Sequence, residues 1–157
     1  MTEKAFQDYY PHDFAQCYGC GRLNEHGLQI KSHWCGENES VAYFRPQPYH
    51  TAVPGIVYGG LLASLVDCHC TGTAAAAMYK HQDRAFDSQP PLRFVTASLK
   101  VNYLKPTPLD CKLEIRGTVV EIKGRKVVIE AKIVADGVVT VAGEVVAVQI
   151  PEDLLNR

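Results

Sequence analysis

The segment "IVYGGLLASLVDCHCTGTAAAAM", from Ile56 to Met78, sets the terms for any fold this chain adopts. Apart from Tyr58 and His69 it is apolar or small throughout, and it carries one carboxylate, Asp67, near its centre. By length it reaches the span of a bilayer. Against that reading, a carboxylate at mid-membrane costs ~2.5–3.5 kcal/mol, and Gly, Ala, Ser and Thr dilute the hydrophobicity. A long helix buried in a soluble protein is expected instead, with no membrane partner. On such a helix Leu61, Leu62, Leu65, Val66 and His69 form a bulky side, while Gly60, Ala63, Ser64, Asp67, Thr71 and Ala74 recur at spacings of three, four and seven. The acid lies on the small-residue stripe, where another backbone, a partner helix or a ligand comes close.

Around this helix the sequence predicts strands. The full 157 residues suit one domain, with 1–27 an irregular segment carrying a CxxC pair and 28–157 a single folded unit. Strands are expected over Leu28 to Cys35 and Ser40 to Arg45, joined by "GENE". After the polar "KHQDRAFDSQPP" the period becomes two: Leu99, Val101 and Tyr103 alternate with Ser98, Lys100 and Asn102, and Cys111 to Val119 alternates likewise. "KGR" at Lys123 to Arg125 and "DG" at Asp136 and Gly137 read as hairpin turns. Two strands, one helix and a four-stranded meander result. A single apolar helix is best buried if the sheet curls around it.

Charge narrows the function. Sixteen Lys plus Arg face 17 Asp plus Glu in dispersed positions, so no basic stripe is available for nucleic acid. The opening "MTEKAFQDYYPHDF" lacks the apolar core of a signal peptide, and a cytoplasmic location with six reduced cysteines is expected. Cys17 and Cys20 make one CxxC, whereas structural zinc usually takes four ligands from two such pairs. Two reduced thiols in a tight turn are expected, with no metal and no cofactor. Cys68, His69 and Cys70 diverge by about 100° per residue on a helix and do not make a ligand face or a thiolate–imidazole pair.

The start of the long helix carries chemistry. Its first N–H groups have no internal acceptor, and the dipole's positive end points the same way. With no side chains at Gly59 and Gly60, a carbonyl oxygen can approach those amides as in an oxyanion hole. Asp67, two turns on, is suited to act as a general base on water or to attack the carbonyl itself.

"PGIVYGGLLASLVD", "TASLKVNYLKPTPL" and the hairpin with "GRK" and "DG" together resemble the hotdog-fold acyl-CoA thioesterases of the phenylacetyl-CoA and 4-hydroxybenzoyl-CoA type, over about Cys17 to Ile150. The resemblance implies an α+β hotdog fold, a curved antiparallel sheet wrapped around one long central helix. It also implies a homodimer or dimer of dimers with sites at the subunit interface and an acyl-CoA substrate. Gly59 matches the amide that holds the thioester oxygen, Asp67 the acidic base or nucleophile, and Thr71 a hydroxyl that places water. Tyr103 and Lys105 to Thr107 fall where members approach acyl-CoA, and Arg125 and Lys126 where its phosphates lie. The family usually carries His before the Gly pair, and this chain has Tyr58. A phenol is mostly a neutral donor, so Tyr58 either takes part in the reaction or closes the pocket, and His50 is expected to supply a polar group. A non-catalytic acyl-CoA-binding or sensing protein is the alternative. A hydratase of the same fold lacks its paired Asp and His here.

Overall fold

The computed structural model describes residues 3–155. A six-stranded antiparallel sheet runs in the order β1 (Ser32–Trp34), β2 (Glu39–Phe44), β4 (Leu113–Lys123), β5 (Lys126–Ala135), β6 (Val138–Gln149), β3 (Phe94–Tyr103). One long helix, α1 (Gly59–His81), lies across its concave face and packs on β3, β4, β5 and β6. Leu61, Leu62, Leu65, Val66, Cys70 and Ala74 of α1 meet Leu113, Ile115, Val127, Ile129, Ile133, Val141 and Val145 of the sheet in one core. By length and composition α1 is apolar enough to cross a membrane, and 72% of its apolar window is buried inside this fold. The architecture is the α+β hotdog, a sheet wrapped around a helix.

Local chemistry explains the element ends. At the β5–β6 turn Asp136 and Gly137 both have positive φ (49° and 77°), the two-residue type I′ geometry that the sequence predicts. At the β4–β5 turn only the first central residue, Gly124, does (φ 59°), as in a type II′ turn. The helix begins at Gly59 rather than at Ile56, because Val57 and Tyr58 donate across the loop to the Thr107 and His50 carbonyls.

The strand expected over Leu28 to Cys35 shrinks to Ser32–Trp34. Gln29 adopts φ 51°, which breaks an extended run. The Leu28 and Ile30 N–H groups donate instead to the Tyr18 and Gly19 carbonyls of the CxxC loop, at 2.9 and 3.2 Å. The N-terminal segment, with 3-10 turns at Phe6–Tyr9 and His12–Phe14, is thereby tied to the sheet side of the molecule.

A polar chain crosses the core beneath α1. Thr73 Oγ1 donates to the His69 carbonyl, so its oxygen accepts from Ser40 Oγ at 2.7 Å. Ser40 Oγ then accepts from His69 Nε2 at 3.0 Å, and Ser32 Oγ donates to His69 Nδ1 at 2.8 Å. This order assigns the neutral Nε2–H tautomer. Gln7 closes the chain with one bond to Ser32 Oγ and one from Ser32 N. Burial pushes the His69 imidazole down to about 4.

Candidate functional site

Asp67 sits two turns into α1, half-buried on the wall of a cavity of about 350 Å³. Thr96 of β3 donates its hydroxyl proton to Asp67 Oδ1. Thr71, one helical turn beyond the acid, lies 2.9 Å from Thr96 Oγ1 and 2.8 Å from the Asp67 carbonyl. Its single proton therefore serves one of two acceptors. The carboxylate is fixed on one oxygen and faces the cavity, which Phe94, Arg93 and Leu92 also line. Arg93 is stacked over the Phe14 ring at 4.6 Å, with its charge beside this cavity. A carboxylate held in this way can take a proton from water or attack an electrophile.

A second cavity, of about 360 Å³, opens at the start of α1 and is lined by Gly59, Tyr103, Lys105 and Thr107 among others. Leu61 and Leu62 N–H donate to the Tyr58 carbonyl, whereas those of Gly59 and Gly60 have no acceptor among the described residues. Both glycines let a neighbouring tyrosine ring come close. A Cβ on Gly60 would lie 2.4 Å from the Tyr58 ring, and one on Gly59 would lie 3.3 Å from Tyr103. Tyr103 Oη donates to the Gly59 carbonyl at 2.7 Å. Tyr58 is exposed, with its ring folded over Gly60.

The residues singled out in the sequence thus fall into separate groups. Asp67 and Thr71 share one cavity, and Gly59, Tyr103 and Lys105 share another. Asp67 lies eight positions after Gly59 along α1, a rise of about 12 Å, so one chain does not bring both to a single carbonyl carbon. His50 lines neither cavity: its Nδ1 accepts from Gln47 N at 2.9 Å, and its carbonyl holds Tyr58 N. Arg125 and Lys126 lie at the β4–β5 turn, with Lys126 Nζ 3.5 Å from Glu121. Register carries that turn toward the first cavity, since Lys126 pairs with Val148 and Val148 with Val95 of its wall.

Two features of the site escape sequence reading. Strict alternation counted back from Ser98 puts Thr96 on the wet face. A bulge between Thr96 and Ser98 leaves Ala97 without a partner and pairs Thr96 with the fully buried Ala147, so Thr96 faces the helix. The other is Cys68, whose thiol joins those of Cys17 and Cys20, all three sulfurs lying within 4.8 Å of one another on the Asp67 cavity wall. Hydrogen bonds from the Cys20 and Cys68 thiols, and from the Cys20 and Gly19 N–H groups, hold the Cys17 thiol well below its ordinary range. The same shared protons push Cys20 and Cys68 up. Cys70 points away into the core, where burial raises it.

Residues 54–142 match the thioesterase superfamily. A thioesterase superfamily protein from Shewanella loihica PV-4, solved by crystallography, is 43% identical, covering 92% of this chain and 99% of that one, with a TM-score of 0.67. The acyl-coenzyme A thioesterase THEM4 of Xenopus laevis is 35% identical over 91 residues, 58% of this chain and 35% of that protein. The matched region spans about a third of the length of the curated relatives, the Xenopus and Bos taurus proteins. A hypothetical thioesterase from Streptococcus pneumoniae TIGR4, crystallised with coenzyme A, shares the fold at 20% identity and a TM-score of 0.61, over 77% of this chain and 85% of that one.

Proposed function

The chain belongs to the thioesterase superfamily, and on that premise we propose that it hydrolyses an acyl-CoA thioester to CoA and a carboxylic acid. The observation that carries this reading is the Asp67 carboxylate, fixed by Thr96 and open to a cavity. As base, Asp67 takes a proton from water, and the hydroxide adds to the thioester carbon. The tetrahedral oxyanion rests on helix N-terminal amides, the C–S bond breaks, and the CoA sulfur takes up the proton. As nucleophile, Asp67 adds to the thioester carbon and the C–S bond breaks to release the CoA thiolate, which takes up a proton; water then opens the resulting anhydride, freeing the carboxylic acid and restoring the Asp67 carboxylate.

The oxyanion donors come from a second copy. β3 is a ten-residue edge strand, with Val95, Leu99 and Tyr103 all exposed in the single chain. An open edge of that length invites strand pairing. Antiparallel pairing of two β3 strands about Leu99 and Lys100 sets the Thr96 end of one against the Tyr103 end of the other. In that homodimer the partner subunit's Gly59 amide approaches the carbonyl that Asp67 attacks, and Tyr103 and Lys105 border the entering acyl-CoA. Arg125 and Lys126, separated from Val95 by strand β6 in the register, meet its phosphates in this reading. The same pairing serves a dimer of dimers, and the cytoplasm is the proposed location.

A second reading follows from Tyr58, whose ring covers Gly60 where the family usually has His: an acyl-CoA-binding protein without turnover. A panel of short, long and aromatic acyl-CoAs, followed by thiol release, tests the first reading and defines the acyl class. Release from none of them, with a non-hydrolysable acyl-CoA still binding in calorimetry, replaces hydrolysis by sensing.

A further inference from the structure

We propose that Cys17, Cys20 and Cys68 form a zinc site that fastens the N-terminal loop to α1, with its fourth coordination position open to the Asp67 cavity. The inference goes beyond thioester hydrolysis and stands whether or not Asp67 turns over a substrate.

Geometry carries it. The three sulfurs lie within 4.8 Å of one another, and Cys17 Sγ is 3.8 Å from Cys68 Sγ. Zinc–sulfur bonds of ~2.3 Å at tetrahedral angles set sulfurs ~3.8 Å apart, whereas a disulfide needs ~2.05 Å. The loop is shaped around the helix thiol. A Cβ on Gly19 would fall 2.2 Å from Cys68 Sγ, so any side chain there would expel Cys68 from the cluster. A Cβ on Gly21 would lie within 2.5 to 2.7 Å of Ala15 O, Cys17 N and Cys17 O, in a turn closed by Gly21 N donating to Cys17 O at 2.8 Å.

Donor chemistry selects the ion. Three thiolates suit a borderline-soft divalent cation and not calcium or magnesium, which take oxygen ligands. On binding, each cysteine that is still protonated releases its proton to solvent, three S–Zn bonds form, and water completes the tetrahedron. Three protein ligands with one open position is the arrangement of a zinc that still accepts an exogenous group. Cys17 and Cys68 keep solvent exposure, and all three cysteines line the cavity that such a group would enter from.

The test uses the full chain, purified under reductant and without an affinity tag. After incubation with zinc and gel filtration, elemental analysis is expected to find close to one zinc per chain. Cobalt(II) in place of zinc is expected to give thiolate-to-cobalt charge-transfer absorption and the intense red-region bands of a tetrahedral ion. Cys17→Ser, Cys20→Ser and Cys68→Ser should each weaken cobalt affinity at least tenfold, while Cys35→Ser, on an exposed cysteine outside the cluster, leaves it unchanged. Should any cluster variant not fold by circular dichroism, the wild-type cobalt spectrum decides. Wild-type protein that retains no zinc, an octahedral cobalt spectrum, undiminished binding in Cys68→Ser, or a Cys17–Cys20 disulfide that zinc does not displace under reductant would overturn the proposal.

Discussion

Thr96 on the edge strand β3 donates its hydroxyl proton to Asp67 on the central helix, joining two residues that are 29 positions apart in the chain. The bond occupies one carboxylate oxygen and leaves the other for chemistry in the cavity. Thr96→Val removes that donor at nearly constant volume. We expect kcat for acyl-CoA hydrolysis to fall about 10- to 100-fold, since a hydrogen bond to a charged group contributes ~1.5–3 kcal/mol, with KM within twofold of wild type. Thr96→Ser should restore most of the loss, and a thiol-release assay on the three proteins checks it. Equal losses in the Val and Ser variants would show that the hydroxyl donor alone does not account for the effect.

Asp67→Asn tests the acid itself. The amide keeps the shape and can still accept from Thr96, yet it neither takes a proton nor attacks a carbonyl. Loss of a general base costs about 10²–10⁴ in rate, and turnover should fall within that range. The oligomer by light scattering and the unfolding midpoint should stay close to wild type, because Asp67 is only half-buried and no ion pair involves it among the described residues. Unchanged turnover would take Asp67 out of the reaction.

The dimer makes its own prediction. Leu99, at the middle of the β3 edge, is 40% exposed in the single chain. Leu99→Asp places a charge where two copies meet and should convert the assembly to monomers in size-exclusion chromatography with light scattering. Thiol release should drop to background even though Asp67 and Thr96 are untouched, since Gly59 of the same chain is about 12 Å away along α1. An active monomer would show that the helix-start amides of the partner are not needed.

What the sequence discloses and what it hides divides along local and non-local lines. The long helix and both tight turns follow from spacing and from turn chemistry at Gly124, Asp136 and Gly137, which act within a few residues. Asp67 stands out because a charge amid apolar residues is costly without partners. Thr96 is concealed because one bulged residue, Ala97, inverts the face that alternation assigns. Cys68 is concealed because its partners lie 48 and 51 positions upstream and reach it only when Gly19 gives way. The strand over Leu28 to Cys35 is misread for a related reason: its first half bonds to the CxxC loop, not to a neighbouring strand.

Stability should depend on pH through His69. The imidazole is fully buried as the neutral tautomer between Ser32 and Ser40, and burial lowers it from the usual 6.5 to about 4. In the unfolded chain it titrates at the usual value. Between those two values the unfolded state therefore binds a proton that the folded state refuses, and the free energy of unfolding rises with pH across that window. The stabilisation is complete above about pH 6.5 and is progressively lost on acidification toward pH 4, by about 3 kcal/mol at most. Urea unfolding at pH 7 and at pH 5 should show the lower midpoint in acid. In His69→Gln this group's contribution to the slope vanishes, while stability at pH 7 drops because Ser32 and Ser40 lose a partner. Gly117→Ala acts on the same network from β4, because its Cβ would meet Ser40 Oγ at 2.8 Å and His69 Nε2 at 3.2 Å. Crowding of that kind in a packed core costs about 1–3 kcal/mol. Because the alanine adds no titrating group, it should lower the urea midpoint by a similar amount at both pH values, whereas a pH slope that survived in His69→Gln would assign the acid sensitivity to a different group.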